Sequence, residues 1–512
     1  MRVLTAEQMR RFDRWAISEI GIPSLVLMEN AALGVADAIG ERFPEAEEVL
    51  LLCGPGNNGG DGLALARHLH GRGYRCRVWL AVEARQLVGD AAAQLGFLRR
   101  LGVPVHEMAE ADFVTLPQAE VVVDALFGTG LSRPLEGGYG TLVDTISAHE
   151  APVVAVDLPS GLDASSGAPI GPHVRADVTV TFARPKLAHV LDPAARAVGE
   201  VVVADLGVPW VDLEGNGAGC WLLQAESLRG WLPARRPQSH KGDYGHLLLV
   251  AGSPGMSGAA VLAARAAVRA GAGLVTMAVP ETIRAECHLG CLEAMTLSVA
   301  NGLAAPLDGS RLEALLVAAS RRSALAIGPG LGTDEEITVL VRDLVLGARV
   351  PTVLDADGLH PFAGRLEELA AREGDLVLTP HPGELARLLG VTTGEVQGDR
   401  LAAAREAAAR SRAVVVLKGH QSLVAEPDGE VAINHTGNPG LATGGTGDVL
   451  TGVVGALLAQ GLDPATAARL GVFVHGLAGD LVAADLGERS LSASDVAESL
   501  PAGFRAVEDG AT

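Results

Sequence analysis

Positive charge is in short supply. The 512-residue chain carries 40 Lys and Arg against 61 Asp and Glu, a formal charge of −21. Long-range repulsion of that sign argues against nucleic acid or an anionic membrane as partner, but not against a nucleotide gripped by local N–H groups. Cysteine is equally sparse: Cys53, Cys76, Cys220, Cys287 and Cys291 are too few for a disulfide framework. Cys287 and Cys291 bracket His288 at helical spacing, yet no further ligand stands nearby in sequence, so buried thiols are expected there. Aromatics make up only 3% of residues. The opening segment MRVLTAEQMRRFDRWA is charged throughout and has no signal-peptide core. The most apolar long stretch, 259–280, is interrupted by Arg265 and Arg269 and fails as a membrane span. A soluble cytoplasmic protein is the expectation. No GxxxxGK[ST] is present, which excludes a P-loop enzyme.

What the chain does have is alternation. At this length two or three domains are natural, and 48% hydrophobic residues with 20% charged describe a well-buried α/β protein. Residues 5–20 read as a helix capped by Thr5, and a second helix covers 24–41. Apolar runs at 49–54, 76–82, 120–128, 152–161, 177–183 and 199–207 alternate with helical segments, the signature of buried parallel strands. A second series runs through 246–252, 274–280, 324–330, 351–359, 375–384 and 413–419. The polar, glycine-rich DLEGNGAG (212–219) separates the two. Two domains are therefore expected at 1–212 and 223–505, with a linker at 213–222. Ligands of such sheets sit beyond the strand carboxyl ends, where nearly every unusual loop falls.

In the first half those loops are GPGNNGGDG (54–62), DALFGTGLSRP (124–134) and VDLPSGLD (156–163), with Tyr139 between the second and third. Glycine exposes backbone N–H groups, and a following helix adds positive potential for an anion. NNGG alone is a common tight turn and DLPSG alone a common capping loop; together they describe a site. Residues 1 to about 212, from MENA (28–31) to RPK (184–186), closely resemble the YjeF N-terminal family of NAD(P)H-hydrate epimerases. The resemblance implies a Rossmann-like three-layer αβα sandwich that interconverts the R and S forms of NADHX and NADPHX. It implies substrate contacts at Asn57, Asn58, Gly59, Gly60, Asp61, Gly128, Thr129, Gly130, Leu131, Ser132, Arg133, Pro134, Tyr139 and Asp157. Asp157 becomes the catalytic aspartate, and a potassium ion falls to Asn58, Asp124 and Ser160, whose hard oxygens suit it.

In the second half, GNPGLATGGTGDVLTG (437–452) sets a glycine cluster and Asp448 at the head of an apolar helix, a place where amides cradle a phosphoryl group and a carboxylate accepts a hydroxyl proton. LKGHQS (417–422) ends a strand with Lys418, suited to nucleotide phosphates or ribose. Together with HKGDYGHLLLVAGSPGMSGAA (240–260), IGPGLG (327–332), LDADGL (354–359) and TPHPGE (379–384), these motifs resemble the YjeF C-terminal family of NAD(P)H-hydrate dehydratases. Ser422 stands where Thr is more usual. The resemblance implies a ribokinase-like αβα domain that phosphorylates the ring hydroxyl from ADP or ATP with Mg²⁺ and then eliminates phosphate. Asp448 becomes the base; Gly258, Ala259, Gly330, Gly332 and His381 join it around the hydrated cofactor. Lys418, Gly419, His420, Gln421, Ser422, Gly444, Gly445, Thr446 and Gly447 would hold the nucleotide. A small-alcohol kinase, or a first half that only binds nucleotides, is the alternative. A homo-oligomer is compatible with either.

Overall fold

Each of the short apolar runs becomes a strand, most of them buried, in the computed structural model, which describes residues 1–211, 219–232, 234–298 and 309–510. The chain divides into two compact units, Arg2–Asn216 and Met1 with Gly217–Thr512. Most of the expected linker, 212–218, lies outside the described residues. Its last part, Cys220–Leu222, is a strand of the second unit's sheet.

In the first unit a 7-stranded sheet contains β1 (Glu48–Cys53), β2 (Arg75–Leu80), β3 (Val105–Glu107), β4 (Val121–Ala125), β5 (Val153–Val156), β6 (Val178–Phe182) and β7 (Glu200–Ala204). Its order is β3-β2-β1-β4-β5-β6-β7, and every pairing is parallel. The direction of travel across the sheet reverses between β1 and β4, which opens a crevice at their carboxyl ends. Strand β3 has three partly exposed residues, VHE, and offers no apolar run to betray it. Helix α1 (Ala6–Ser18) starts at Thr5, whose hydroxyl accepts from the Gln8 amide at 3.2 Å while Gln8 Oε1 accepts from the Thr5 amide at 2.8 Å. It buries Met9, Phe12 and Ala16. Helix α2 (Ser24–Arg42) packs beside α3 (Asn57–Gly71), which in turn packs beside α4 (Gly89–Leu101).

Helix α3 begins inside the glycine-rich stretch 54–62, which the sequence reads as a loop. NNGGDG is its first turn, not a loop before it. The glycines there serve proximity: a β-carbon at Gly59 would lie 2.0 Å from the Gly54 carbonyl oxygen, and one at Gly60 would lie 2.5 Å from Met28 Cε. Side chains would push the helix start away from both the strand end and α2.

The second unit holds β8 (Cys220–Leu222), β9 (His246–Val250), β10 (Leu274–Val279), β11 (Met295–Ser298), β12 (Ala324–Ile327), β13 (Thr352–Leu354), β14 (Leu376–Leu378), β15 (Val414–Leu417), β16 (Leu423–Ala425) and β17 (Val431–Ile433). Their order is β8-β17-β16-β15-β14-β13-β12-β9-β10-β11. The run from β15 to β11 is parallel, but β15–β16 and β16–β17 are antiparallel. The sequence reading missed this hairpin because its strands are three residues long. The turn between β15 and β16 is too short for a parallel crossover and passes through Gly419 (φ +139°) and Gln421 (φ +54°). Helices α5 (Ser257–Arg269), α6 (Pro382–Leu389), α7 (Thr446–Ala459), α8 (Pro464–Leu486) and α9 (Ala493–Asp509) flank this sheet. Helix α8 is long and apolar enough to cross a membrane, and 61% of its apolar window is buried within the unit. All five cysteines are buried, and among the described residues none forms a disulfide. Among the described residues no cluster of His, Cys, Asp and Glu is arranged to hold a metal ion.

Candidate active sites

At the carboxyl ends of β1, β4 and β5 the first unit opens into a cleft of about 560 Å³. Asn57, Asn58, Asp61, the Gly128–Arg133 loop and Asp157 all line it. Helix α3 points its N-terminus there, and no side chain caps it, so its leading amides are open to an anion.

Asp157 follows β5 with φ +63°, a costly conformation for a non-glycine residue that holds its carboxylate at the strand tip. Its Oδ1 accepts from Lys186 Nζ at 2.7 Å and from Thr181 Oγ1 at 3.1 Å. Burial opposes ionisation, but the Lys186 charge and hydrogen bond outweigh it and hold the carboxyl below its ordinary range. Lys186 is itself fully buried and also donates to Thr181 Oγ1 at 2.7 Å. His189 locks the pair: its Nδ1 accepts from the Lys186 amide, and its Nε2–H therefore donates to the Asp157 carbonyl, each at 2.8 Å. Burial, reinforced by Lys186, lowers its pKa to about 4 and keeps the ring neutral. Sequence reasoning quoted RPK but gave Lys186 no role, and His189 carried no signal.

The Gly128 backbone is pressed between functional groups. A β-carbon there would lie 2.9 Å from Asn58 Oδ1 and 3.0 Å from Asp157 Oδ2. Asp124 lies beneath the loop, fully buried, accepting from Ser160 Oγ at 2.7 Å and from the Ser160 amide at 2.8 Å. Burial pushes its pKa up to about 6, against the hydrogen bonds from Ser160 and Leu126. These donors are neutral, so an ionised Asp124 lacks a positive partner. The Asn58 Nδ2 is buried without a hydrogen-bond partner. The buried Asp124 carboxylate, the Ser160 hydroxyl and the Asn58 amide oxygen are oxygen donors that suit an alkali cation; the unpartnered Nδ2 is a hydrogen-bond donor and adds nothing to that fit.

Not every sequence-predicted residue reaches the cleft. Tyr139 spends its hydroxyl on the Ala81 carbonyl at 2.9 Å and sets its ring edge against Phe127, 5.0 Å between centroids. It supports the cleft from behind Phe127, which lines it. Gly59 and Gly60 are buried in helix packing, and Pro134 lies against Gly171. Conversely, α1 contributes Met9, Arg10, Asp13 and Ile17 to the wall, a helical face invisible as a motif.

In the second unit, Gly445 (φ +95°) is the N-cap of α7 and again supplies no side-chain cap. Asp448 lies in the first turn; burial, then the charge of Asp355, raises its pKa to about 6 despite Lys418. Lys418 departs from the expected reach toward nucleotide phosphates. Its Nζ donates to buried Asp355 Oδ1 at 2.6 Å and lies 3.9 Å from Glu384 Oε2. Thr451 from α7 donates to the other Asp355 oxygen at 2.6 Å, which ties the anion-binding helix to this pair. Asp355 and Asp357 belong to LDADGL, whose aspartates received no role from sequence.

Gly258 and Ala259 open α5 without a side-chain cap, and a β-carbon on Gly330 would lie 3.0 Å from the Ala259 methyl. The Gly332 amide donates to Asp357 Oδ2 at 2.8 Å. His381 is the N-cap of α6: its Nδ1 accepts from the Gly383 and Glu384 amides at 3.0 and 3.2 Å. Its position follows from capping, with Nε2 left at 3.4 Å from Glu384 Oε1. Ser422 Oγ closes the KGHQS turn on the Gly419 carbonyl at 3.0 Å. His475 Nε2 lies 2.9 Å from the Thr446 carbonyl and steadies the glycine cluster. Lys418, Glu384, Thr451 and Gly447 thus meet around Asp355, an unanticipated centre.

Two family models match the chain. One described as YjeF-related protein N-terminus covers residues 24–188, and one described as NAD(P)H-hydrate dehydratase covers 247–502. The bifunctional NAD(P)H-hydrate repair enzyme Nnr of Moorella thermoacetica is 44% identical over 99% of this chain and 98% of the relative. The protein of the same description from Escherichia coli is 36% identical over 97% and 92%. Among solved structures, the ADP/ATP-dependent NAD(P)H-hydrate dehydratase from Bacillus subtilis, co-crystallised with ATP/Mg²⁺, is 37% identical with a TM-score of 0.50, covering 56% of this chain and 99% of that one.

Proposed function

From the premise that the chain belongs to the bifunctional NAD(P)H-hydrate repair enzymes, we propose that its two units act in succession on hydrated nicotinamide cofactors. The first interconverts the R and S forms of NADHX and NADPHX. The second dehydrates the S form to NADH or NADPH at the expense of ADP or ATP. The observation that carries this reading is that each unit sets an uncapped, glycine-headed helix start and an aspartate shifted by its surroundings, Asp157 downward and Asp448 upward, at the carboxyl ends of its strands.

In the first unit, the amides of Asn57 and Asn58 and the Gly128–Arg133 loop take the diphosphate, which leaves Asp157 for the ring. Held ionised by Lys186, Asp157 accepts the proton of the ring hydroxyl. Asn58, Asp124 and Ser160 hold a potassium ion, whose charge answers the lone buried Asp124 carboxylate.

In the second unit, Asp448 takes the hydroxyl proton as the oxygen attacks the terminal phosphoryl group. Amides of Gly445, Thr446 and Gly447 receive the charge on the transferred oxygens. The KGHQS turn holds the nucleotide through its backbone, because Lys418 is committed to Asp355. Phosphate then leaves with the C–O electron pair, driven by the ring nitrogen lone pair. Water in its place is a poor leaving group. Asp357 is the carboxylate that would help the nucleotide phosphates hold Mg²⁺, which would offset the charge on the transferring phosphoryl group.

The test incubates the full chain with mixed R and S hydrates, Mg²⁺ and either ADP or ATP, following reduced nicotinamide by absorbance. Complete conversion with release of free phosphate is expected. A stable phosphorylated product would mean a kinase, and a stall at the S fraction would mean a silent first unit. Asp157→Asn abolishes interconversion only; Asp448→Asn stops the nucleotide-dependent step only.

A further inference from the structure

The first-unit cleft contains carboxyl groups that its phosphate-binding and base roles do not use. Asp13 projects from the α1 face that also carries Met9, Arg10 and Ile17, and Asp61 from α3, one turn beyond Asn57 and Asn58. Both line the cleft with Asp157 and Lys186. Neither takes part in a hydrogen bond or ion pair among the described residues, unlike Asp157, whose Oδ1 accepts from Lys186 and Thr181.

Given the epimerase reading above, we propose that Asp61 is the proton donor of the epimerisation and that Asp13 is the positioning residue that keeps the proton on it. Hydration leaves one ring carbon bearing both a hydroxyl and the ring nitrogen. Inverting that carbon by ring opening requires a base and an acid at once. Asp157 takes the hydroxyl proton, and the O–H electron pair becomes the second bond of a carbonyl. The C–N bond breaks, and its electrons go to nitrogen, which takes the Asp61 proton. After rotation about the adjacent C–C bond, nitrogen attacks the other face of the carbonyl. Its proton returns to Asp61, and the Asp157 proton returns to oxygen. Every atom and charge is restored, and no oxidant or reductant is involved.

The surroundings divide the aspartates as this step requires. Burial first, then the charges of Asp157 and Asp13, hold the Asp61 carboxyl well above its ordinary range. Asp13 is raised to about 6, by burial first and by Asp157, against the pull of Lys186. Two titratable groups pushed apart in one cleft make an acid and a base. The charged groups around Asp61 are Arg10 and Asp13 on α1, Asp90 on α4, Arg133 in the loop, and Asp157 with Lys186 opposite.

The experiment measures hydrate interconversion against pH in the full chain, alongside ADP-dependent dehydration of the S form as a folding control. Asp61→Asn is expected to lower interconversion by about a hundredfold or more, with dehydration unchanged. Asp13→Asn removes a like charge, so the alkaline limb of the interconversion profile moves to lower pH. Undiminished interconversion in Asp61→Asn, or an unmoved limb in Asp13→Asn, overturns the proposal while leaving the epimerase reading intact. A wild-type chain that interconverts nothing overturns that reading itself.

Discussion

Both units place a lysine beside an aspartate at the tip of a parallel strand, and the two pairs do opposite things. In the first, Lys186 grips Asp157 itself at 2.7 Å and keeps it ionised. In the second, Lys418 grips Asp355 at 2.6 Å, and Asp448 is left to burial and a like charge, with a pKa near 6. One base is held fully ionised but weakened by its partner; the other is a stronger base, available once the pH exceeds about 6. A hemiaminal proton needs little basicity to move, whereas a hydroxyl that must attack phosphorus gains from a base matched to neutral pH.

The comparison breaks most severely at Lys186. Lys186→Met leaves Asp157 buried without its charge partner, which costs about 3–5 kcal/mol in first-unit unfolding. Interconversion disappears with it, while ADP-dependent dehydration survives. If unfolding of the first unit is unchanged, the pair does not set the charge of Asp157.

Next in size is the contrast between the two glycine clusters. Gly59→Ala drives a methyl into the Gly54 carbonyl at 2.0 Å, an overpacking cost of about 3 kcal/mol in denaturant unfolding. Gly444→Ala meets nothing within 4 Å and is expected to unfold like the wild type. Equal stabilities would show that the first cluster is not there for packing.

Asp448→Asn probes the second aspartate through stability. The folded carboxyl binds its proton up to about pH 6 and the unfolded one only to 3.8, so stability falls as pH rises through that window and is level above it. The substitution removes the cost, and at pH 7.5 the second unit gains on the order of 2 kcal/mol, vanishing below about pH 4. A gain that is the same at every pH would sink this account. The smallest effect is kinetic: Asp355→Asn removes the like charge beside Asp448 and frees Lys418, so the acid limb of dehydration moves down by about one pH unit. An unshifted limb separates Asp355 from the base.

Much of this was legible in the chain. Parallel strands followed from their apolar runs, and α1 from its cap Thr5, because those signals are local. The loops with Asn57, Asn58, Asp157 and Asp448 stood out for their glycine and acidic punctuation at strand ends. Tyr139, by contrast, looked like a ligand-facing aromatic, and only packing revealed that its hydroxyl is spent on Ala81. Lys418 looked free for phosphate because Asp355, its partner, is 63 positions earlier.

Sequence alone settled most of the elements, the parallel character of the strands between helices and the presence of two glycine-headed helix starts, since propensity, hydrophobic period and turn chemistry act between near neighbours. Tertiary structure decided the charge states. Whether an aspartate is base, acid or counter-ion depends on what lies within a few ångströms and how much water remains, and those neighbours, Lys186 and Asp13 for one site and Asp355 for the other, come from distant stretches of chain.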